Sequence, residues 1–585
     1  MAKNSSMTVL DGHETIGGTK ILVESGETQL LLDFGTNYNQ WGKFYDEFTQ
    51  PRGPRGIVDF LATELVPSRK GWYRPDLFAP RDLQDPKLKD LSTGSAPDAV
   101  LLSHAHLDHC GAISILRHDI PVLCTPMTFA LLRAMQETGG QGVSREIAFT
   151  LEKAPSHSAP EPGCSDPTAL LESQGVNHPR RFQLFGGLTG PLASFAQDPP
   201  FPSNDWEASS ALPTPAPMKV RDVHVEHFPV DHSLYGAAAF TLDLDGSRVA
   251  YTGDLRLAGE GASLTRRFVI ALAEKAPDVL LVEGTRLRGE KDGPQEEVTE
   301  AQVEATASRL VEKSAGKFVV ADFGPRNIER LLTFLRVARK SGRTLVITPK
   351  DAFVLWAMAQ ADPKAIPIEA LRKNEMRILE EPTQSTRGRW PKVVWGSWKK
   401  PSDQEKKSAM NLGLDSPSPT WANGEFAGAA ISAADLAQRE GDRGKYLLCF
   451  SLYDCNDLVD LRKVTRGGLW LYSSSEAHSE EQEVDFVRLQ NWIDWAGLKA
   501  VGFSLVPNAR GGLSPIFEST SEGPLHASGH AREEELVDLI RASRAKKVVP
   551  VHTEIPGAYR KLFDERKVDA KLVLPSECKN RMIQL

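Results

Sequence analysis

The chain has 585 residues, 41% hydrophobic and 25% charged, which excludes a disordered or fibrous protein. At roughly 100–200 residues per domain the length makes room for three or four compact units. The formal charge of −8 excludes a uniformly basic body, so a nucleic-acid partner would need a local basic groove.

The N-terminal MAKNSSMTVLDGHETIGG has no apolar signal core, and no run of about 18 apolar residues follows anywhere, so neither a leader nor a membrane span is expected. Residues 20–23 and 29–34 are two short apolar runs around Gly26, a predicted hairpin. Residues 99–103 predict a buried strand, followed by a polar loop and an apolar helix over 111–117. Residues 153–217 are rich in Pro, Ser and Gly and read as an irregular surface insert. A second hairpin is predicted over 238–244 and 248–252, then a strand over 279–282. Strand 317–321, helix 327–340 and strand 344–348 form a regular unit. Residues 380–440 read as a second irregular insert. Strand 469–472, helix 480–495, strand 500–503, helix 531–542 and strand 547–551 complete a mixed α/β chain without internal repeats. The six cysteines lie far apart with no CxxC pair, which reads as reduced thiols of a cytoplasmic protein.

The densest chemistry is His104-Ala-His106-Leu-Asp108-His109, after a predicted strand. Two histidines at i, i+2 can point at one metal, and Asp108 and His109 can face a second. Imidazole with carboxylate suits Zn²⁺ or Mn²⁺, and the carboxyl end of a strand is where open α/β sheets place their sites. A merely solvated loop is the weaker reading, because three His and one Asp share six positions. Neither a GxSxG elbow nor a Walker GxxxxGK[ST] occurs, so serine hydrolase and P-loop readings lack support. Ser528-Gly529 precedes a predicted helix, and its backbone N–H groups would suit a phosphate. The bland alternative is an N-cap at Ser528. His526 and His530 flank this pair. Residues 387–400 interleave Arg and Lys with Trp390, Trp395 and Trp398. That pattern fits an RNA-guiding loop, or, more commonly, tryptophans packed in a core.

SHAHLDHCG resembles the HxHxDH signature of the metallo-β-lactamase superfamily. Asp33 in LLLDFG, His232 in PVDHSLYG and Asp254 in YTGDLRL resemble its other motifs, in order. Glu283 in LLVEGTR, His530 in LHASGHA and His552 in PVHTE resemble the three additional motifs of the β-CASP nucleases, with HASGHA and PVHTE closest to the ribonuclease J-like branch. The resemblance implies an αββα sandwich carrying an inserted α/β β-CASP cap domain. Residues 1–284 and 516–585 would form the sandwich and 285–515 the cap.

By that resemblance, His104, His106, His232 and Asp254 would hold one divalent ion, and Asp108, His109, Asp254 and His552 a second. Zn is the first expectation, with Mn or Mg as alternatives. Asp33 would orient ligands from outside, and His530, with Glu283, would donate a proton or clamp phosphate. Arg326, in DFGPRNIER, and Ser473, in a run of three serines, resemble the family's substrate contacts, beside His526, Ser528 and Gly529. A surface arginine and ordinary turn chemistry are the competing readings of those two. A His at the last motif accompanies RNA-active members, whereas Val marks the Artemis-type DNA nucleases. The implied activity is a metal-dependent ribonuclease cutting single-stranded RNA with a two-metal-activated hydroxide, as a 5′→3′ exonuclease with endonuclease action as a further mode. Alternatives are a catalytically silent RNA-binding subunit, a DNA nuclease and a small-molecule metallohydrolase. No membrane partner is expected, and a homo-oligomer is compatible with the sequence.

Overall fold

The computed structural model describes residues 5–46, 48–140, 142–156, 167–200, 206–287, 297–324, 326–380, 389–399, 420–437, 440–474, 480–508, 511–517 and 520–585. The chain divides into two units rather than three or four. The first comprises residues 1–199, 203–297 and 529–585, and the second 200–202 and 298–528. The second is thus almost wholly an insertion in the first.

Two sheets face each other in the first unit. One has eight strands, in the order Met582–Gln584, Ser5–Asp11, Lys20–Ser25, Thr28–Phe34, Ala99–Leu101, Val122–Cys124, Phe182–Leu184, Thr214–Pro215. The other has seven, in the order Lys219–Val220, Val223–Pro229, Ala238–Leu244, Ser247–Tyr251, Val279–Val282, Lys547–Pro550, Lys571–Leu572. Alternating apolar residues of both, such as Val9, Ile21 and Leu32 against Phe240, Leu242 and Val549, interleave in one core. The outer face of the second sheet is covered by Phe268 and Leu272 of helix Ala262–Glu274 and by Leu536 and Ile540 of helix Glu533–Ser543. This is the expected αββα arrangement.

The second unit is built on a seven-stranded parallel sheet, in the order Ala430–Ile431, Met376–Leu379, Thr344–Ile347, Tyr446–Phe450, Val319–Asp322, Leu469–Tyr472, Lys499–Val501. Its central strands are apolar runs buried on both faces, as parallel sheets require. Among the described residues no helix is long and apolar enough to cross a membrane.

Two expectations are corrected. The predicted helix over 111–117 is one α turn, Leu107–Cys110, running into a 3₁₀ segment, Gly111–Ile115. A Cβ at Gly111 would meet the Thr36 hydroxyl, so the segment is pressed against its neighbour and is buried on all sides. The region 153–217 is not wholly irregular: Phe149–Pro155 pairs with Leu171–Pro179, and Gly190–Gln197 is a helix capped by Thr189. In the stretch 389–399, Trp390 and Trp395 are buried, which favours the packing reading over an RNA-guiding loop. The basic residues Arg387 and Lys400 lie outside the described residues.

Candidate metal centre

Local sequence explains how the loops converge. Strand Thr28–Phe34 ends with Asp33 in a left-handed conformation, φ 55°, which turns its carboxylate inward. Gly35 lies against the loop 104–110, and any Cβ there would sit inside the Asp108 carbonyl. Gly17, at φ 81°, approaches from the other side, where a Cβ would be 2.6 Å from that of Asp108. Thr19 and Thr36 donate backbone N–H groups to Asp108 and Leu107 at 3.1 and 2.9 Å. The HxHxDH loop is therefore clamped by backbone before any metal is considered.

The structure brings together all seven residues expected as ligands. His104, His106, His232 and Asp254 offer donor atoms within 4.8 Å of one another, and so do Asp108, His109 and His552. Asp254 joins the two sets. Its Oδ2 lies 3.1 Å from His109 Nε2, 3.6 Å from His104 Nε2, 3.7 Å from His552 Nε2 and 4.0 Å from His232 Nε2. His106 Nδ1 is 3.0 Å from His104 Nε2 and 3.1 Å from His232 Nε2. Ligand atoms around a tetrahedral zinc at about 2.0–2.1 Å stand roughly 3.3 Å apart.

The surrounding hydrogen bonds fix the tautomers. Asp33 accepts from the Ser103 N–H and hydroxyl, both at 2.7 Å, from His109 Nδ1 at 2.7 Å and from the Tyr251 hydroxyl at 2.6 Å. Because the Ser103 hydroxyl is spent on Asp33, His104 Nδ1 must donate to it, at 3.0 Å. His232 Nδ1 donates to the Gly529 carbonyl at 2.5 Å. Thr285 donates to Glu283 at 2.7 Å, so His552 Nδ1 donates to Thr285, at 2.8 Å. In neutral rings, four Nε2 lone pairs then face carboxylates and one another. His109 Nε2 and Asp254 Oδ1 are buried without a hydrogen-bond partner. Acceptors aimed at acceptors in a buried site fit bound cations and little else.

Electrostatics agree. Burial, reinforced by neighbouring imidazoles, holds His104 and His232 well below the ordinary histidine range, so both are neutral donors. Burial works against charge on Asp108 and Asp254, yet His109 and His552 keep both carboxyls ionised. Burial also opposes charge on His109, but Asp254 and Asp108 raise it well above its usual value. Positive charge is required between these groups, whether proton or metal ion.

His530 stands beside the centre rather than in it. Its Nδ1 is 2.9 Å from Glu283 Oε2. Burial would depress this imidazole, but the Glu283 carboxylate lifts it to about 9. Glu283 is fully buried and saturated, since Leu255 N–H donates to Oε1 at 2.9 Å and Thr285 shares Oε2 with His530. Its geometry is that of an orienting group.

The remaining expected substrate residues are placed differently. Helix Glu533–Ser543 begins beyond Arg532, whose N–H is received by Glu535 at 2.9 Å, so Ser528 is not its N-cap. Gly529 is used through its carbonyl, and a Cβ there would lie 2.6 Å from Ser233 Oγ. His526 and Ser528 fall in the second unit. There Ser473 is buried, its hydroxyl donating to Leu525 O and accepting from Arg330 at 2.6 Å. It braces the interior of that unit. Arg326 is half-buried, immediately before Asn327, which caps helix Ile328–Lys340 by accepting from Arg330 N–H at 3.0 Å. Ser475 lies outside the described residues. Sequence reasoning missed Ser103, Tyr251 and Thr285, the groups that set the tautomers. Only Thr285, beside Glu283 in EGT, carries a local signal.

Comparison with known proteins agrees with this geometry. Residues 74–164 match the beta-lactamase superfamily domain, and residues 524–573 match the Zn-dependent metallo-hydrolase RNA specificity domain. A ribonuclease J of Mycobacterium tuberculosis is 24% identical over 362 residues, covering 60% of this chain and 50% of that protein. A ribonuclease J of Mycolicibacterium smegmatis is 23% identical over 493 residues, covering 82% of this chain and 62% of that protein. The chain thus spans about half of the first relative's length. A crystal structure of a protein of unknown function from Enterococcus faecalis matches with a TM-score of 0.60 at 19% identity over all of both chains, a likeness of fold alone. Motifs, matched domains and relatives converge: the chain is similar to ribonuclease J-like proteins of the β-CASP type within the metallo-β-lactamase superfamily.

Proposed function

We propose that the chain is a metal-dependent ribonuclease that hydrolyses phosphodiester bonds in single-stranded RNA, as a 5′→3′ exonuclease with endonuclease action as a further mode. The observation that carries the reading is the pair of donor sets joined at Asp254, with His530 held alongside by Glu283. The RNA specificity domain match and the ribonuclease J relatives favour RNA as substrate.

His104, His106, His232 and Asp254 would hold one divalent ion, and Asp108, His109, His552 and Asp254 the other. Two such ions supply an activated water and neutralise charge on the phosphoryl oxygens. The chain's own groups do the rest. Asp33, Ser103, Thr285 and the Gly529 carbonyl keep four imidazoles in the ligating tautomer. Glu283 holds His530 by Nδ1, and the oriented imidazole would deliver a proton to the leaving oxygen. Arg326 and the segment around His526, Ser528 and Gly529 are assigned to substrate binding. Ser473 serves such contacts only indirectly, by bracing Arg330.

The test is cleavage of 3′-labelled single-stranded RNA bearing a 5′-monophosphate, beside 5′-triphosphate RNA and DNA of the same sequence. The control is the H104A/D108A double variant. A shortening ladder on monophosphate RNA alone, abolished in the control, is the expected result. Discrete cuts indifferent to the 5′ end would make endonuclease the main mode. Metal-loaded protein that cleaves neither RNA nor DNA would refute the nuclease.

A further inference from the structure

Five aromatic side chains stand exposed among the described residues: Tyr38, Phe44, Phe48, Tyr453 and Trp495. Three of the five fall within eleven residues of the first unit. Tyr38 is 49% exposed, Phe44 53% and Phe48 85%. Such clustering of large apolar rings in water is uncommon without a ligand.

The segment that carries them is anchored. Asn37 caps the short helix Tyr38–Trp41 by accepting from Gln40 N–H at 2.9 Å, and its amide donates to Asp11 at 2.9 Å. Trp41 turns inward, with ring centroids 5.2 Å from Tyr45 and 6.5 Å from Phe60. Asp46 accepts from the N–H groups of Phe48 and Thr49 at 2.8 and 2.6 Å. The rings are therefore mounted on an ordered support.

The segment also continues the metal centre. Its cap, Asn37, lies four residues after Asp33, beyond Gly35 and Thr36, both pressed onto the backbone of Leu107 and Asp108. Asn39 reaches Glu554, two residues beyond His552, at 3.5 Å. Its polar groups are mixed in sign. Arg52 is paired with Asp59 at 2.6 Å, and Lys43 donates to Gln40. The surface therefore offers stacking more than phosphate neutralisation.

Resting on the ribonuclease reading, we infer that Tyr38, Phe44 and Phe48 form a base-stacking platform for single-stranded RNA entering or leaving the metal centre. Every base has a π-face, so such a platform adds affinity without sequence preference.

The test uses the metal-loaded full chain and a phosphorothioate RNA dodecamer that resists cleavage, beside an abasic strand of equal length and charge. The Y38A/F44A/F48A variant is expected to bind the dodecamer at least about tenfold more weakly, given roughly 5- to 150-fold per stacked base. The parent is expected to bind the abasic strand about as weakly as the variant does. Phe44→Trp and Phe48→Trp retain binding, and hydrolysis of bis(4-nitrophenyl) phosphate is unchanged throughout. An unaltered dissociation constant in the triple variant, or equal weakening on the abasic strand, overturns the platform. So does a triple variant whose only change is lost self-association, which would assign the rings to a second copy of the chain. Base-dependent binding by a parent that hydrolyses no phosphodiester would leave the platform standing and sink the ribonuclease.

Discussion

Asp33→Asn isolates the tautomer argument. Asn tolerates the left-handed backbone of Asp33, φ 55°, so the change leaves the turn unstrained. The amide keeps one oxygen for the Ser103 N–H. Its NH₂ then replaces Oδ2, where Ser103 Oγ, His109 Nδ1 and Tyr251 OH all donate, at 2.7, 2.7 and 2.6 Å. Donor meets donor three times in a fully buried site. Removing the orienting partner of a metal-ligating histidine costs about 10–100-fold in affinity, or about 1.4–2.7 kcal/mol at about 1.4 kcal/mol per decade. Burial of one or two orphaned donors at about 1–3 kcal/mol each gives the same scale. The loss should fall mainly on the set containing His109. Zinc competition against a chromophoric chelator reads both sites, with circular dichroism as the check on folding. One site weakened by one to two decades, the other within a few-fold, is the expected result. Two sites of parental affinity in a folded variant would refute the orienting role of Asp33 on His109.

Gly35→Ala is expected to abolish stoichiometric metal binding, because its Cβ would occupy the Asp108 carbonyl position and neither backbone can yield cheaply; metal content after purification checks it. In the second unit Arg330 is buried against Glu300, with Nη2–Oε1 at 2.9 Å and Nε–Oε2 at 3.0 Å. Arg330→Met removes the two-point partner of that buried carboxylate and should cost about 3–5 kcal/mol, seen calorimetrically as a lowered melting transition that Arg330→Lys fails to restore. Burial, then the Asp454 and Asp460 carboxylates, lift Asp457 to about 6 against the pull of Lys350. A carboxyl raised on folding contributes stability below its unfolded value near 3.8 and loses it as pH rises through about 6. Asp457→Asn should therefore raise the melting temperature at pH 7.5 and change little at pH 4; the opposite order would contradict the assignment.

The legible part of the site is the part written locally. His104, His106, Asp108 and His109 share one loop, so their spacing alone announced a metal. His232, Asp254 and His552 were found by motif order, and the structure sets them around that loop. The tautomer-setting contacts were not legible. Tyr251 reaches Asp33 across 218 positions and Thr285 reaches His552 across 267, and neither residue type is unusual where it stands. The strand over 279–282 was read correctly because a short continuous apolar run suits a strand buried on both faces. The segment over 111–117 misled for the opposite reason. It is apolar on every side, so no 3.6-residue stripe could reveal that it is mostly 3₁₀. In 153–217, Pro and Ser signalled loops and hid the pairing of Leu171–Pro179 with the preceding strand, Phe149–Pro155.

The division of the first unit has a consequence for the order of synthesis. Strand Val279–Val282 pairs in parallel with Lys547–Pro550 on one side, and the first unit resumes only at Gly529. A growing chain that has reached the end of the second unit has made every strand of that unit's parallel sheet. Its first unit still presents an unpaired strand edge, lacks the carbonyl that orients His232 and lacks His552 altogether. A centre of this design lacks two of its parts until residues 529–552 have been made, and it is complete only after the two distant portions of the first unit meet.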